Sequence, residues 1–427
     1  RSYILWEKTM KNKADKLNIL RFCAFMMVFL LHAKGFIPVK WNENCKMAWV
    51  LYTPAWAGTW IFFVLSGYGT GAGFYLGKYE QSMYGVGRYY CKRLASVIPI
   101  YWFWIVTVAV FVKPEILQPS AEHMKYLLKL FFFDYQEEFY PLEFGVGWYM
   151  TTLMRLYLIA PAGYFLFKRF VKSRKQTYFL LLLIVCLGFV SRCLMGYHMA
   201  VTGEGVWTAA IYKPFYFNLD FFFTGMLLNS LKNDRGGVPA RRNKKKKVLS
   251  VLGLCTLIPV NSYIYYNNDY KTTNYMELYY YVFPSIYLIL TACYIDGFEI
   301  HRGYTQTELT VREFKKNPMR IFDFFPNIQF PAYLFHNSIL LCLANAYDEN
   351  LFLNICRRIM VPEEKYHFAI GCIFTIMALV VSMIWSVWTH CIVVKRNRRC
   401  LKYFEKWDIS AVNNQVIRGL QKMFPLS

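Results

Sequence analysis

The sequence describes an all-α, polytopic membrane protein with about ten transmembrane helices and both termini on the cytoplasmic side. Three observations support this. First, 56% of the 427 residues are hydrophobic and 19% are aromatic, with a mean hydropathy of +0.24. Second, the apolar residues gather in runs of about twenty, enough for one helix to cross a bilayer. They do not form the alternating segments of about ten residues that build a membrane barrel. Third, the connections between the runs alternate in charge. Spans placed at roughly 17–36, 49–76, 94–112, 147–167, 177–197, 214–231, 248–266, 278–295, 327–346 and 366–394 leave one set of connections with 35 Lys and Arg against 11 Asp and Glu. The other set holds 11 against 14. Cytoplasmic loops carry the Lys/Arg excess, which orients the chain.

The net charge of +23 is therefore mostly a statement of topology, with attraction to anionic headgroups added. No basic-aromatic module of the nucleic-acid-binding kind is present. Membrane lipids are expected partners and nucleic acid is not; nothing identifies a protein partner. The 12 cysteines are scattered without a C-x-x-C pair, and only Cys45 and Cys356 fall in outward connections. Neither a disulfide framework nor a zinc or other metal site is expected. The chain starts at Arg1 with no Met and no signal peptide, as a trimmed chain would. It divides into a cytoplasmic segment 1–16, a membrane domain 17–394 and a basic cytoplasmic tail 395–427.

The first span, Leu17–Phe36, carries two residues foreign to lipid, Arg21 and His32. Eleven positions make three helical turns plus about 20°, so the two share one face, about 16 Å apart along the axis. Ionisable groups inside a span face protein or a wet cavity and are functional candidates. The plain alternative is a snorkelling Arg and a core His. The second span ends in FFVLSGYGTGAG, with glycines at 67, 69, 71 and 73 after Ser66. Such a run forms helix poorly and allows either close packing or local unwinding under cover of protein. Ser66 is either a pocket residue or a hydroxyl bonded back to its own helix. The inward connection Lys78–Arg93 closes with Arg88, Lys92 and Arg93 just before the third span. Cations at a cytoplasmic helix start suit a phosphate-bearing ligand, though positive-inside flanking also explains them.

The longest outward connection, 113–146, contains the amphipathic HMKYLLKLFFFDY, suited to the membrane surface. The acidic Asp134, Glu137, Glu138 and Glu143 follow. The fourth span opens GVGWYMTTLMRLYLIAP, with Trp148 and Arg155, and the fifth has Arg192 near its outer end. The sixth, PFYFNLDFFFTGML, holds Asp220, the one carboxylate inside a span. A lone charge there is costly, so Asp220 is expected to pair with Arg155 or Arg192. A basic linker, ARRNKKKK, reads as disordered and headgroup-facing. The seventh and eighth spans are rich in Tyr and Asn at their outer ends and carry little chemistry. The ninth reads FPAYLFHNSILL, with His336 as a pocket candidate or a buried neutral ring; the tenth is Trp-rich. No internal repeat, P-loop or G-x-S-x-G elbow is present.

Taken in order, these pieces resemble the acyltransferase-3 family of integral membrane acyltransferases. LNILRFCAFMMVFLLHA, with ten residues between Arg21 and His32, is similar to that family's opening span. FFVLSGYG resembles its second-span signature, and KRLASVIPIYW its basic run leading through Pro into an aromatic third span. GWYMTTLMRLYLIAP resembles its Trp-led fourth span, and YLFHNSIL its late Tyr-Leu-x-His segment. The likeness covers nearly the whole chain. It lapses at Ser96, where a second Arg is common, and at Leu153, where many members carry Glu. It lapses again at Val393–Val394–Lys395, where an acidic-Pro motif is usual. No fused hydrolase-like domain is expected after the tenth span.

The resemblance implies transfer of an acetyl or other short acyl group from cytoplasmic acyl-CoA to a hydroxyl of a carbohydrate or cell-envelope glycan, in a bacterial plasma membrane. Acetyl-CoA would be a co-substrate, with no permanently bound cofactor. The residues suit that chemistry, since His is the natural base near neutral pH and cations anchor phosphates. His32 is expected to activate the acceptor hydroxyl or to carry the acyl group transiently. Arg21 would orient the thioester or diphosphate, and Arg88, Lys92 and Arg93 would bind the donor. Ser66, Trp148, Arg155, Arg192, Asp220 and His336 are the pocket candidates. The rival readings are a carrier or flippase for a lipid-linked glycan, for which paired broken helices and inverted repeats would be the sign, and a non-catalytic partner of such a system.

Overall fold

The computed structural model describes residues 16–37, 48–135, 140, 142–203, 208–233, 244–268, 281–298 and 321–394. The expectations for segments 1–15 and 395–427, for Cys45, Glu137 and Glu138, and for residues 240–243 of the basic linker lie outside the described residues. Among those described there is helix and no strand. In order the helices are α1 (Lys16–Phe36), α2 (Ala55–Tyr75), α3 (Met83–Phe111), α4 (Ala121–Phe131), α5 (Gly147–Phe170) and α6 (Arg174–Thr202). Then come α7 (Leu219–Leu227), α8 (Lys244–Asn268), α9 (Phe283–Gly297), α10 (Ile321–Asn345), α11 (Glu349–Arg358) and α12 (Tyr366–Thr389), with single turns between some of them.

Seven of these helices are long and apolar enough to cross a membrane: α1, α2 with the 3-10 turn before it, α3, α5, α6, α8 and α12. The other three stretches read as spans are also helical. The sixth is a 3-10 turn, Phe215–Asn218, running into the nine-residue α7. The eighth is the 15-residue α9. The ninth lies in α10, which contains Pro326 and Pro331. The expected second span is interrupted at Pro54, which separates the turn Ala48–Leu51 from α2.

The centre of the bundle is α2. Its apolar window is 89% buried, against 11% for α6, so α2 is core and α6 faces outward. The helix packs on α1, α5, α7 and α9. Its glycines explain how. Residues two apart on a helix point about 200° apart, so the run at 67, 69, 71 and 73 splits between two faces. Gly67 and Gly71 form a G-x-x-x-G pair lying on the backbone of α7, where a Cβ would meet the Phe222 and Met226 main chain. Gly225 of α7 answers them, facing the Val64 carbonyl. Without a hydrophobic drive between helices in lipid, such close backbone approach is a main source of attraction. Of the two outcomes the sequence left open, the structure shows continuous helix and close packing. Asn229 closes the lower end of this contact by donating to the Tyr68 carbonyl at 2.8 Å.

A parallel seam joins α1 to α10. Asn18, Phe22, Phe25, Phe29 and His32 step by four and three residues along one stripe of α1. They meet Asp323, Phe322, Phe325 and His336 of α10. This is the face that Arg21 and His32 were expected to share. The spacing resembles the seam of a coiled coil.

Two expectations are corrected. Lys244–Lys247 of the basic linker are not disordered but form the first turn of α8. The segment Lys78–Arg93 is not a loop that ends at a helix start. The helix begins at Met83, where Ser82 caps it by accepting from the Gly85 N–H at 3.1 Å. Arg88, Lys92 and Arg93 therefore lie in its second and third turns. The partial positive charge of a helix end fades within the first turn, so it does not assist Arg93. The amphipathic segment is helix α4, which buries Tyr126 and Leu130. Tyr101 and Trp102 of α3 donate to the Leu130 and Phe131 carbonyls and tie it down.

Candidate active site: a histidine pair and the ring wall beside it

The α1–α10 seam brings His32 onto His336. His32 Nδ1 lies 2.6 Å from His336 Nε2, and His336 Nδ1 lies 2.6 Å from the Tyr333 carbonyl oxygen. The ring centroids are 4.9 Å apart with planes at 1°. With two ring nitrogens only 2.6 Å apart, the rings lie edge to edge in one plane rather than face to face. The network assigns the protons. A carbonyl oxygen only accepts, so His336 Nδ1 carries a hydrogen and donates it. In the neutral ring Nε2 must then accept, and His32 Nδ1 donates to it. This leaves the lone pair of His32 on Nε2, which has no hydrogen-bond partner among the described residues. His336 is fully buried among Phe25, Phe29 and Tyr333. The His32 ring is half-buried.

A wall of rings extends from the pair. Tyr333 lies 4.8 Å from Tyr149, and both rings touch Phe62 of α2. The Tyr149 phenol lies close enough to Ser66 for the two side chains to interact. Next to it in the chain, the half-buried Trp148 lies 4.7 Å from Tyr212, whose hydroxyl donates to Thr59 Oγ1 at 2.8 Å. Three of the expected pocket residues, Ser66, Trp148 and His336, are thus joined through two tyrosines that sequence reasoning passed over. Tyr333 stands one helical turn before His336, and Tyr149 directly follows Trp148. That proximity on the chain was the available signal.

The cationic residues divide. Arg93 turns inward, donating to Thr70 Oγ1 of α2 at 3.0 Å and lying over the rings of Tyr157 and Tyr89, at 4.9 and 5.7 Å. Thr70 is one turn along α2 from Ser66, and Gly69 between them faces open space. Arg93 is therefore linked through one face of α2 to the ring wall. Arg88 is exposed and Lys92 half-buried. Arg21 does not adjoin the histidines. It donates to Asn18 Oδ1 at 3.2 Å, and Asn18 donates to Asp323 at 3.3 Å, at the other end of the seam.

Asp220 pairs with Arg192, not with Arg155. The Arg192 guanidinium donates to Asp220 Oδ2 at 2.6 Å and to the Phe217 carbonyl at 2.9 Å, and the two side chains are 2% and 5% exposed. Gly188 of α6 makes room, since a Cβ there would strike the Asp220 carboxylate. This pair ties α6 to α7. Arg155 instead reaches out to Asp134 at 3.3 Å, both well exposed. An exposed pair of that kind contributes about 0–1 kcal/mol.

Fold and site together define an integral membrane protein whose core holds a polarised imidazole pair, with an arginine on the neighbouring helix face. The sequence model of the acyltransferase-3 family, described as an acyltransferase domain, matches residues 15–391, so the chain belongs to that family and is a membrane acyltransferase. Comparison with curated proteins and with solved structures finds no match.

Proposed function

We propose that the protein transfers an acetyl or similarly short acyl group from acyl-CoA, entering from the Lys/Arg-rich side, to a hydroxyl of a carbohydrate in the cell envelope of a bacterium. One observation carries this reading: the Tyr333 carbonyl–His336–His32 chain, which leaves a basic nitrogen on a half-buried ring. In the proposed step His32 Nε2 takes the proton of the acceptor hydroxyl as its oxygen attacks the thioester carbonyl. The carbon–sulfur bond breaks, and the imidazolium returns the proton to the departing thiolate. The products are the ester and free CoA. His336 does not touch the substrate in this scheme. It holds the His32 tautomer and shares the positive charge that forms.

Arg93 suits the donor's phosphates, because a guanidinium keeps its charge when half-buried and offers several donors at once. The face of α2 from Thr70 to Ser66 rises about 6 Å, and with its small residues it suits a thin pantetheine arm. Release of CoA thiol by purified protein given acetyl-CoA and an oligosaccharide tests the reading, with mass spectrometry of the acceptor. His32→Ala should lower turnover by about a hundredfold or more, the usual range for a general base. Full turnover by a well-folded His32→Ala protein would overturn the mechanism.

A further inference from the structure

The first turn of α8 breaks a local rule. A helix start carries partial positive charge and favours anions. Yet α8 opens on Lys244, Lys245, Lys246 and Lys247, with no acidic residue in that turn. The four lysines divide. Lys246 donates to Asp296 at 2.7 Å and to the Tyr178 hydroxyl at 3.0 Å, which ties α8 to α9 and α6. Lys247 lies over the Phe298 ring at 4.9 Å. Lys244 and Lys245 are exposed and make no ion pair among the described residues. Where a chain departs from a local rule, function is the usual reason.

Beyond these two lysines the helix surface turns apolar. Lys244, Val248, Leu252 and Thr256 follow every four residues along one face, with Lys245 and Leu249 in the neighbouring row. Together they line a groove of about 610 Å³. Val248, Leu249 and Leu252 are each more than half exposed. Two glycines hold α9 close beside the groove. A Cβ on Gly253 would meet the Leu290 side chain, and one on Gly297 would meet the Lys247 backbone.

We infer that this groove holds one anionic phospholipid, with its phosphate between Lys244 and Lys245 and an acyl chain along Val248, Leu252 and Thr256. Length argues for a lipid. From Lys244 to Thr256 the helix rises about 18 Å, and half of a bilayer's hydrocarbon core is about 15 Å. A lipid of one leaflet reaches from the surface to the midplane, so the row matches it from headgroup to chain end. Charge argues for an anionic lipid. Each Lys near the surface adds attraction for acidic headgroups, and a phosphate also suits the helix start that the lysines oppose. A soluble phosphate compound would engage the lysines and leave the apolar row uncovered. The groove shares no residue with the histidine pair, the ring wall or Arg93, so the inference stands apart from the proposed acyl transfer.

The test uses the full chain in detergent micelles, with dioleoyl phosphatidylglycerol and dioleoyl phosphatidylcholine as probes and native mass spectrometry as the readout. The first bound phosphatidylglycerol should be retained in preference to phosphatidylcholine. Lys244→Gln combined with Lys245→Gln should raise its Kd by about tenfold to thirtyfold. Lys168→Gln combined with Arg169→Gln, two exposed cations in the last turn of α5, should leave it in place. Glycerol phosphate at equal concentration should not displace the lipid. Because the lysines oppose the helix start, the Lys244 and Lys245 variant should melt no lower than wild type in lipid-free detergent. Four results would each overturn the inference: equal retention of phosphatidylcholine, equal weakening by the two double variants, displacement by glycerol phosphate, and a lower melting temperature without lipid.

Discussion

One hydrogen, on His336 Nδ1, decides what the histidine pair can do. Because the Tyr333 carbonyl can only accept, that proton is fixed, and the orientation passes through His336 Nε2 to His32. Removing the acceptor should leave His32 free to adopt either tautomer and without support for its charge. His336→Leu is therefore expected to lower kcat by about a hundredfold with a smaller change in the acetyl-CoA KM. His336→Gln can accept from His32 Nδ1–H through its amide oxygen and should restore part of the rate. Steady-state kinetics on both variants checks this, and equal loss in both would mean that His336 serves packing alone. Only one partner of the pair could be chosen from sequence. Arg21 and His32 stood out as ionisable residues in an apolar run, whereas His336 looked equally like an ordinary buried ring. Its role depends on a contact across 304 residues of chain.

At the scale of the helix, the glycines of α2 divide into those that touch α7 and those that do not. Gly71 lies against the Met226 backbone, and Gly69 faces open space. Ala is better than Gly in a helix by about 1 kcal/mol. Gly69→Ala should therefore raise thermal stability in detergent slightly or leave it unchanged. Gly71→Ala must push α7 outward and should lower stability and the yield of monodisperse protein. Equal melting temperatures for the two variants would contradict the packing described. The glycine spacing was legible in the sequence, but which glycines met a neighbour was not. The same holds for α3, whose first three turns were read as loop. Arg88, Lys92 and Arg93 made that stretch look like a flank, while the Ser82 cap and the steady helical spacing into Pro99 were the weaker signal.

At the scale of the molecule, α6 is held to a bundle that buries little of it, and its buried ion pair with Asp220 matters accordingly. Arg192→Met leaves Asp220 as an unpaired charge in the interior, which costs about 3–5 kcal/mol when a buried pair is broken. The double variant Arg192→Met with Asp220→Leu removes both charges and should recover most of that loss. A double-mutant cycle on thermal unfolding measures the coupling. Single and double variants that lose the same stability would show that the two residues do not interact.

Sequence alone determined the helical membrane class, the Lys/Arg asymmetry between its connections, the family resemblance and the need for an arginine partner to Asp220. These follow from the bilayer, which acts on every residue through local rules of length, polarity and charge. Tertiary structure alone decided that the partner is Arg192, that His32 rests on His336, and that Tyr149 and Tyr333 join the pocket candidates into one wall. Each of these is a contact between helices distant in sequence. It is set by how rigid cylinders with particular side chains and glycine notches fit together, and no local pattern encodes that fit.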